Sequence, residues 1–141
     1  MNHLVILDAR AGELEKILSG VKTMLIKESD PRQSSSHPVH PGDTLYFLKN
    51  HEDCTVRIKA TVARVLFVSN RKEDDLVHAL KEMQPRLHLT EAQYNYWSTK
   101  GQVLLVEIES AHKIDPFQVA SHSVEDQSDW ISLEKFHLKM E

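Results

Sequence analysis

With 141 residues, 40% of them apolar and 27% charged, the chain has the size and composition of one globular domain, whose folding buries roughly 70% of the unfolded surface. Its single cysteine, Cys54, excludes an internal disulfide, and no apolar run approaches the ~20 residues that span a bilayer. The net charge of −4 excludes nucleic-acid binding by bulk charge, but residues 1–72 carry 11 Lys/Arg against 8 Asp/Glu while residues 73–141 carry 6 against 13, so a basic face is expected from the N-terminal half.

Leu4–Leu7 is a short apolar run that predicts a buried strand, and Asp8 and Arg10 end it too early for a secretory signal. Residues 12–19 predict a helix with Leu14, Ile17 and Leu18 on one face, closed by Gly20 as a left-handed cap. Thr23–Ile26 predicts a second strand. Ser29–Gly42 contains three prolines and reads as a loop, ending in the turn Pro41-Gly42-Asp43. Thr44–Lys49 predicts a strand and Asn50–Asp53 a polar hairpin connection.

Cys54–Val68 is the most regular stretch. Val56, Ile58, Ala60 and Val62 alternate with Arg57, Lys59, Thr61 and Ala63, and the parity breaks near Arg64. A long strand with such a slip predicts a bulge or bend of the kind that curls a sheet toward a barrel. Asn70 with Glu73 and Thr90 with Gln93 are capping-box patterns that open two helices; Leu76, Leu80 and Met83 form the buried stripe of the first. Gln102–Glu109 predicts a strand, and Trp130–Leu133 an additional edge strand in an otherwise polar, acidic tail. The order β-α-β-β-β-α-α-β, with a final edge strand, predicts an α+β fold: a small, mixed but mostly antiparallel, partly open β-barrel with peripheral helices. Residues 1–115 form the domain in this reading, and residues 116–141 an extension packing on it.

The stretch Ile17-Leu18-Ser19-Gly20-Val21-Lys22-Thr23 resembles the signature of ASCH domains in the PUA-like superfamily, where a helix ends at glycine and a lysine follows as the next strand begins. Lys27 stands where a second basic residue is expected, Gly42-Asp43-Thr44-Leu45 matches a Gly-Asp pair opening a strand, and Val103–Ile108 matches a late apolar strand. The resemblance covers residues 3–115. It implies a barrel with a cleft beside the Gly-x-Lys strand and a ligand that is RNA or a modified nucleoside. Some small members hydrolyse acetylcytidine with a lysine, a threonine three residues later and a glutamate before the last helix. Here Lys22 matches, Leu25 stands in the threonine position, and Gln84-Pro85-Arg86 fills the glutamate region. Leucine offers no nucleophile, and Thr23 points to the opposite face of a strand from residue 22 or 24.

The leading expectation is therefore a binder of RNA or a nucleotide-like ligand, cytoplasmic, without cofactor or membrane association. Its contacts would be Lys22, Thr23 and Lys27, flanked by Arg32, Lys49 and Arg57 on phosphate. The alternative is an amidohydrolase acting on an acylated nucleoside, with Lys22 and either Glu28 or Glu82 as acid/base. A third reading is a protein–protein module using the acidic C-terminal half. Tyr94 and Trp97, three apart on a helix, are expected in the core rather than stacked on bases. His37, His40, His51 and Cys54 echo zinc-ligand spacing, but a lone thiolate and a first pair set between prolines argue against a metal.

Overall fold

The structure is a computed structural model and describes residues 2–28, 39–50, 54–70, 75–119, 130–132 and 138–139. Arg32, His37, His51 and Glu73 lie outside these. The chain runs β1 (Asn2–Ile6), a short 3-10 turn, α1 (Glu13–Ser19), β2 (Met24–Glu28), β3 (Thr44–Leu48), β4 (Thr55–Ser69), α2 (Asp75–Leu87), α3 (Glu91–Ser98), β5 (Gln102–Val119), β6 (Trp130–Ser132) and β7 (Leu138–Lys139). The expected element order holds. β5 is much longer than expected: it continues without a break through Pro116, because His112, Lys113, Phe117 and Gln118 still pair with β4, and Ile114 and Phe117 pack into the apolar cluster at that end.

Local chemistry explains the boundaries. Gly20 closes α1 at φ 83°, a backbone conformation that a Cβ would strain, and its N–H donates to Ile17 O. Thr90 caps α3 with both halves of the capping box formed: Gln93 N–H donates to Thr90 Oγ1, and the Gln93 side chain accepts from Thr90 N–H. Asn70 Oδ1 accepts the N–H of Leu76, a partner further along than the capping pattern implies.

The described strands form one mixed sheet in the order β2-β5-β4-β3-β1-β6, with β7 added to the far end of β5. Only β1 and β3 run parallel. The β4–β5 register slips after Val56, after Lys59 and after Val62, the last at the predicted parity break. Each slip adds local twist, and the long hairpin curls. The predicted barrel is thus a curled but open sheet among the described residues: its end strands β2 and β6 share no ladder.

Three apolar clusters result. The inner face holds Val5, Leu7, Leu25, Leu45, Phe47, Ile58, Val62, Val106 and Ile108, plugged by Ile17 of α1. The outer face of β2, β5 and β4 packs Met24, Leu105 and Val103 against Leu76, Leu80 and Leu87 of α2, with Tyr94 and Trp97 of α3 alongside, as their spacing predicts. The far end of the hairpin folds Val56, Ile114, Phe117 and Val119 over the other side of β1 and β3. Among the described residues no helix is long and apolar enough to cross a membrane.

Candidate functional site

Lys22 and Lys27 are treated very differently by the fold. Lys22 is 2% exposed, and its ammonium donates to Leu87 O at the end of α2. Two more donors serve the same helix end: Thr23 N–H reaches Arg86 O at 3.0 Å and Lys16 Nζ reaches His88 O at 3.1 Å. A helix leaves its last carbonyls without internal partners and carries partial negative charge there, so cations are drawn to it. Burial pushes the Lys22 pKa down to about 8; the Glu13 carboxylate opposes this and Lys16 reinforces it. Glu13 also accepts a 2.8 Å hydrogen bond from Gln93 Nε2, which links α1 to α3.

Strand parity places Lys27 on the inner face, two residues from Leu25. The register sets Leu25, Val106 and Val65 in one row across β2, β5 and β4, and Lys27, Leu104 and Phe67 in the next row outward. The first row is core. The second opens to solvent, with Phe67 57% exposed. Lys27 Nζ lies 6.0 Å from the ring centre of Trp130 on β6, so the two unpaired ends of the sheet meet here through a cation and an indole. Burial lowers the Lys27 pKa, with Glu28 opposing.

Behind this seam stands His3 on β1, its ring 6.1 Å from that of Trp130. His3 is fully buried, and its Nε2 is 2.9 Å from Asp43 Oδ2. Asp43 also accepts the N–H of His40 at 2.8 Å. Burial works against the Asp43 carboxylate, but the hydrogen bonds from His3 and His40 outweigh it and lower its pKa. Burial lowers the His3 pKa, outweighing the pull of Asp43, and Lys27 adds to the lowering.

The structure therefore brings Lys27 together with Trp130 and His3, with Leu104 and Phe67 in the same row, and leaves Thr23 half-buried just before β2, two rows deeper than Lys27. It does not gather the other expected cations. Arg57 is exposed on the outer face of β4, bonded to Thr55 O, ten residues from Phe67 and so roughly 30 Å away along a straight strand. Lys49 is exposed just past β3, near that same end. Arg32 lies outside the described residues. Lys22 belongs to the helix side, where the alternation that sets Met24 against α2 also puts it. Glu28 is exposed beside Lys100 and Glu82 is exposed on α2; the carboxylate beside Lys22 is Glu13. Of the zinc-like set, His40 is exposed and Cys54 packs with the apolar far end, and among the described residues no three metal-binding side chains gather.

Sequence reasoning missed His3, Phe67 and Trp130 as a group. Asp43 carried a signal, as part of the Gly-Asp turn. His3 could have been found as a histidine alternating with Val5 and Leu7 on a buried strand.

The open curled sheet with its packed helices has solved counterparts. Crystal structures of ASCH from Zymomonas mobilis superpose with a TM-score of 0.62 at 12% identity, covering 82% of this chain and 71% of that one. Two point mutants of the same protein give 0.63, at 12% and 13% identity, covering 83% of this chain and 75% and 73% of theirs. The fold of this chain is an ASCH-type fold. No family model matches the sequence, and neither does any curated protein.

Proposed function

We propose that the chain binds RNA or a nucleotide-like ligand at the seam between β2 and β6. The observation that carries this reading is the meeting of the two sheet ends through Lys27 and Trp130, with the exposed Phe67 two strands away in the same row. An aromatic platform next to a cation suits a base stacked on a ring with its phosphate on an ammonium. Thr23 lies two rows deeper, and Lys22 holds the wall behind it by fixing α2 to the start of β2. Arg57 and Lys49 serve at most a distant stretch of a longer strand.

Fluorescence polarisation with short single-stranded RNAs at two salt concentrations tests it. Trp130→Ala should weaken binding about 10-fold or more, since a stacked base is worth about 1–3 kcal/mol. Lys27→Ala should weaken it and reduce the salt slope by about one phosphate's worth. Arg57→Ala should leave binding of a short RNA unchanged. Absence of wild-type binding at low salt overturns the reading.

One observation favours a second reading, hydrolysis of an acylated nucleoside: the lowered Lys22 pKa of about 8 beside Glu13 suits proton transfer near neutral pH. In that reading Glu13 replaces Glu28 and Glu82 as the acid/base partner. Incubation with N4-acetylcytidine and chromatography for cytidine decides it, and wild type yielding no product rules the hydrolase out.

A further inference from the structure

The hydrogen bonding of His3 is half complete. Its Nε2 faces the Asp43 carboxylate at 2.9 Å, while Nδ1 is buried with no hydrogen-bond partner among the described residues. Asp43 is held as a carboxylate by the hydrogen bonds it accepts, those from His3 and His40 among them, so it is an acceptor only, and Nε2 must carry the proton. Burial keeps the imidazole neutral. Nδ1 is then a lone pair with no donor, and a buried acceptor of that kind is costly to leave unfilled. Tautomer choice by a carboxylate on the far nitrogen is a common way of aiming an imidazole at its target.

The surroundings say what kind of donor fits. Trp130 lies 6.1 Å from the His3 ring and tilted to it by 59°. A lone pair set beside an indole suits the edge amino group of a base that stacks there. The Lys27 ammonium sits over the indole at 6.0 Å, where a phosphate or an electron-rich carbonyl would meet it. His3 is fully buried, so a ligand reaches Nδ1 only if the half-buried Trp130 beside it moves aside.

We infer that His3 Nδ1 reads one hydrogen-bond donor on the ligand, the exocyclic amino group of an adenine or cytosine, with Asp43 as the positioning residue that fixes the tautomer. The inference rests on the proposed RNA- or nucleotide-binding function of the seam. A site built to accept a hydrogen bond discriminates strongly against an analogue that lacks the donor, since the buried acceptor then stays unpaired.

The test uses four short RNAs of one sequence that differ at one central base: adenosine or purine ribonucleoside, and cytidine or 2-pyrimidinone ribonucleoside. The second member of each pair lacks only the amino group. Wild type should bind at least one amino-bearing RNA about 10-fold or more tighter than its partner, and His3→Phe should abolish the difference within that pair. Equal affinity within both pairs for wild type overturns the inference and leaves the RNA-binding reading standing. No binding of any of the four overturns both.

Nitrogen-15 spectra of the wild-type imidazole give a readout that needs no variant. They should show Nε2 protonated and Nδ1 bare, with the Nδ1 resonance moving when the amino-bearing RNA is added and not when its partner is. A proton on Nδ1, or a bare Nδ1 that the amino-bearing RNA leaves unmoved, refutes the assignment. Asp43→Asn should disturb the tautomer signature, and an unchanged signature would remove Asp43 from its positioning role.

Discussion

The two sides of β2 differ in how they treat a lysine. On the helix side Lys22 is sealed, its ammonium on Leu87 O, at a helix end where three successive carbonyls each receive a donor from the α1–β2 segment. On the inner side Lys27 is half-buried and rests over an indole, with an exposed phenyl ring in the same row. The two lysines are five residues apart. The first locks α2 onto the sheet, and the second lies in a row of the inner face that opens to solvent. A charged residue near a signature motif is thus no guide by itself to where a ligand sits; what its charge already answers to decides that.

The comparison breaks most visibly at Lys22. Replacing it by alanine leaves a cavity and an unanswered carbonyl, and should cost about 2–4 kcal/mol in urea denaturation. A loss under about 0.5 kcal/mol would mean that the ammonium does not hold the helix end. Methionine separates the charge from the packing. The folded pKa of Lys22 is about 8 against an ordinary 10.5, so between these values the unfolded chain binds more protons and stability rises with pH. The difference of about 2.5 units corresponds to roughly 3 kcal/mol. Wild type should gain that order of stability relative to Lys22→Met across pH 8 to 10.5, and parallel profiles for the two proteins would place the titration elsewhere.

On the seam side the strongest structural effect falls on Asp43. Asp43→Ala leaves His3 Nε2 and the His40 N–H without their acceptor and should cost about 2 kcal/mol. Its lowered pKa makes part of this pH-dependent. The contribution is present above the ordinary carboxylate pKa and is lost as pH falls through the folded value. His3 acts in the same direction at milder pH: its lowered pKa means stability declines as pH drops below about 6.5, where the unfolded imidazole takes a proton first. An acid-denaturation curve for Asp43→Ala that matches wild type would contradict the Asp43 assignment.

Much of the scaffold could be read from residues whose preferences are local. Gly20, the Thr90–Gln93 box and the parity slip at Arg64 all mark features that form where the pattern puts them. The continuation of β5 past Glu109 was not legible, since His112 and Lys113 carry no apolar alternation and only their pairing with β4 makes them strand. The candidate site was legible only in part. Lys27 and Asp43 stand in motif positions, but Trp130 is more than a hundred residues from Lys27 in sequence, and only the curl of the sheet joins them. Arg57 and Lys49 looked like neighbours of Lys27 because alternation assigns a face and says nothing about position along a 15-residue strand.

A smaller effect tests whether the two sides are independent. Thr90→Ala removes the α3 cap and should cost about 1 kcal/mol. Gln93 joins that cap to Glu13, and Glu13 is the carboxylate that supports the charge on Lys22. The loss should therefore shift the Lys22-dependent pH profile and leave RNA affinity at the seam unchanged. A change in affinity would show that the helix side and the seam are coupled.

The smallest expected effect on stability is the sharpest on function. Lys27→Ala removes a half-buried ammonium whose pKa burial already lowers, so the folded state loses a partly desolvated charge along with its contact to Trp130. The two terms oppose each other, and denaturation should shift by about 0.5 kcal/mol or less. RNA affinity should fall in the same protein, with a shallower salt dependence. Lys22→Met should do the reverse, changing the pH profile of stability while the salt dependence of binding stays as in wild type. If both substitutions instead flattened the salt dependence equally, Lys22 would have to reach phosphate from its buried position, and the division between the two sides of β2 would fail.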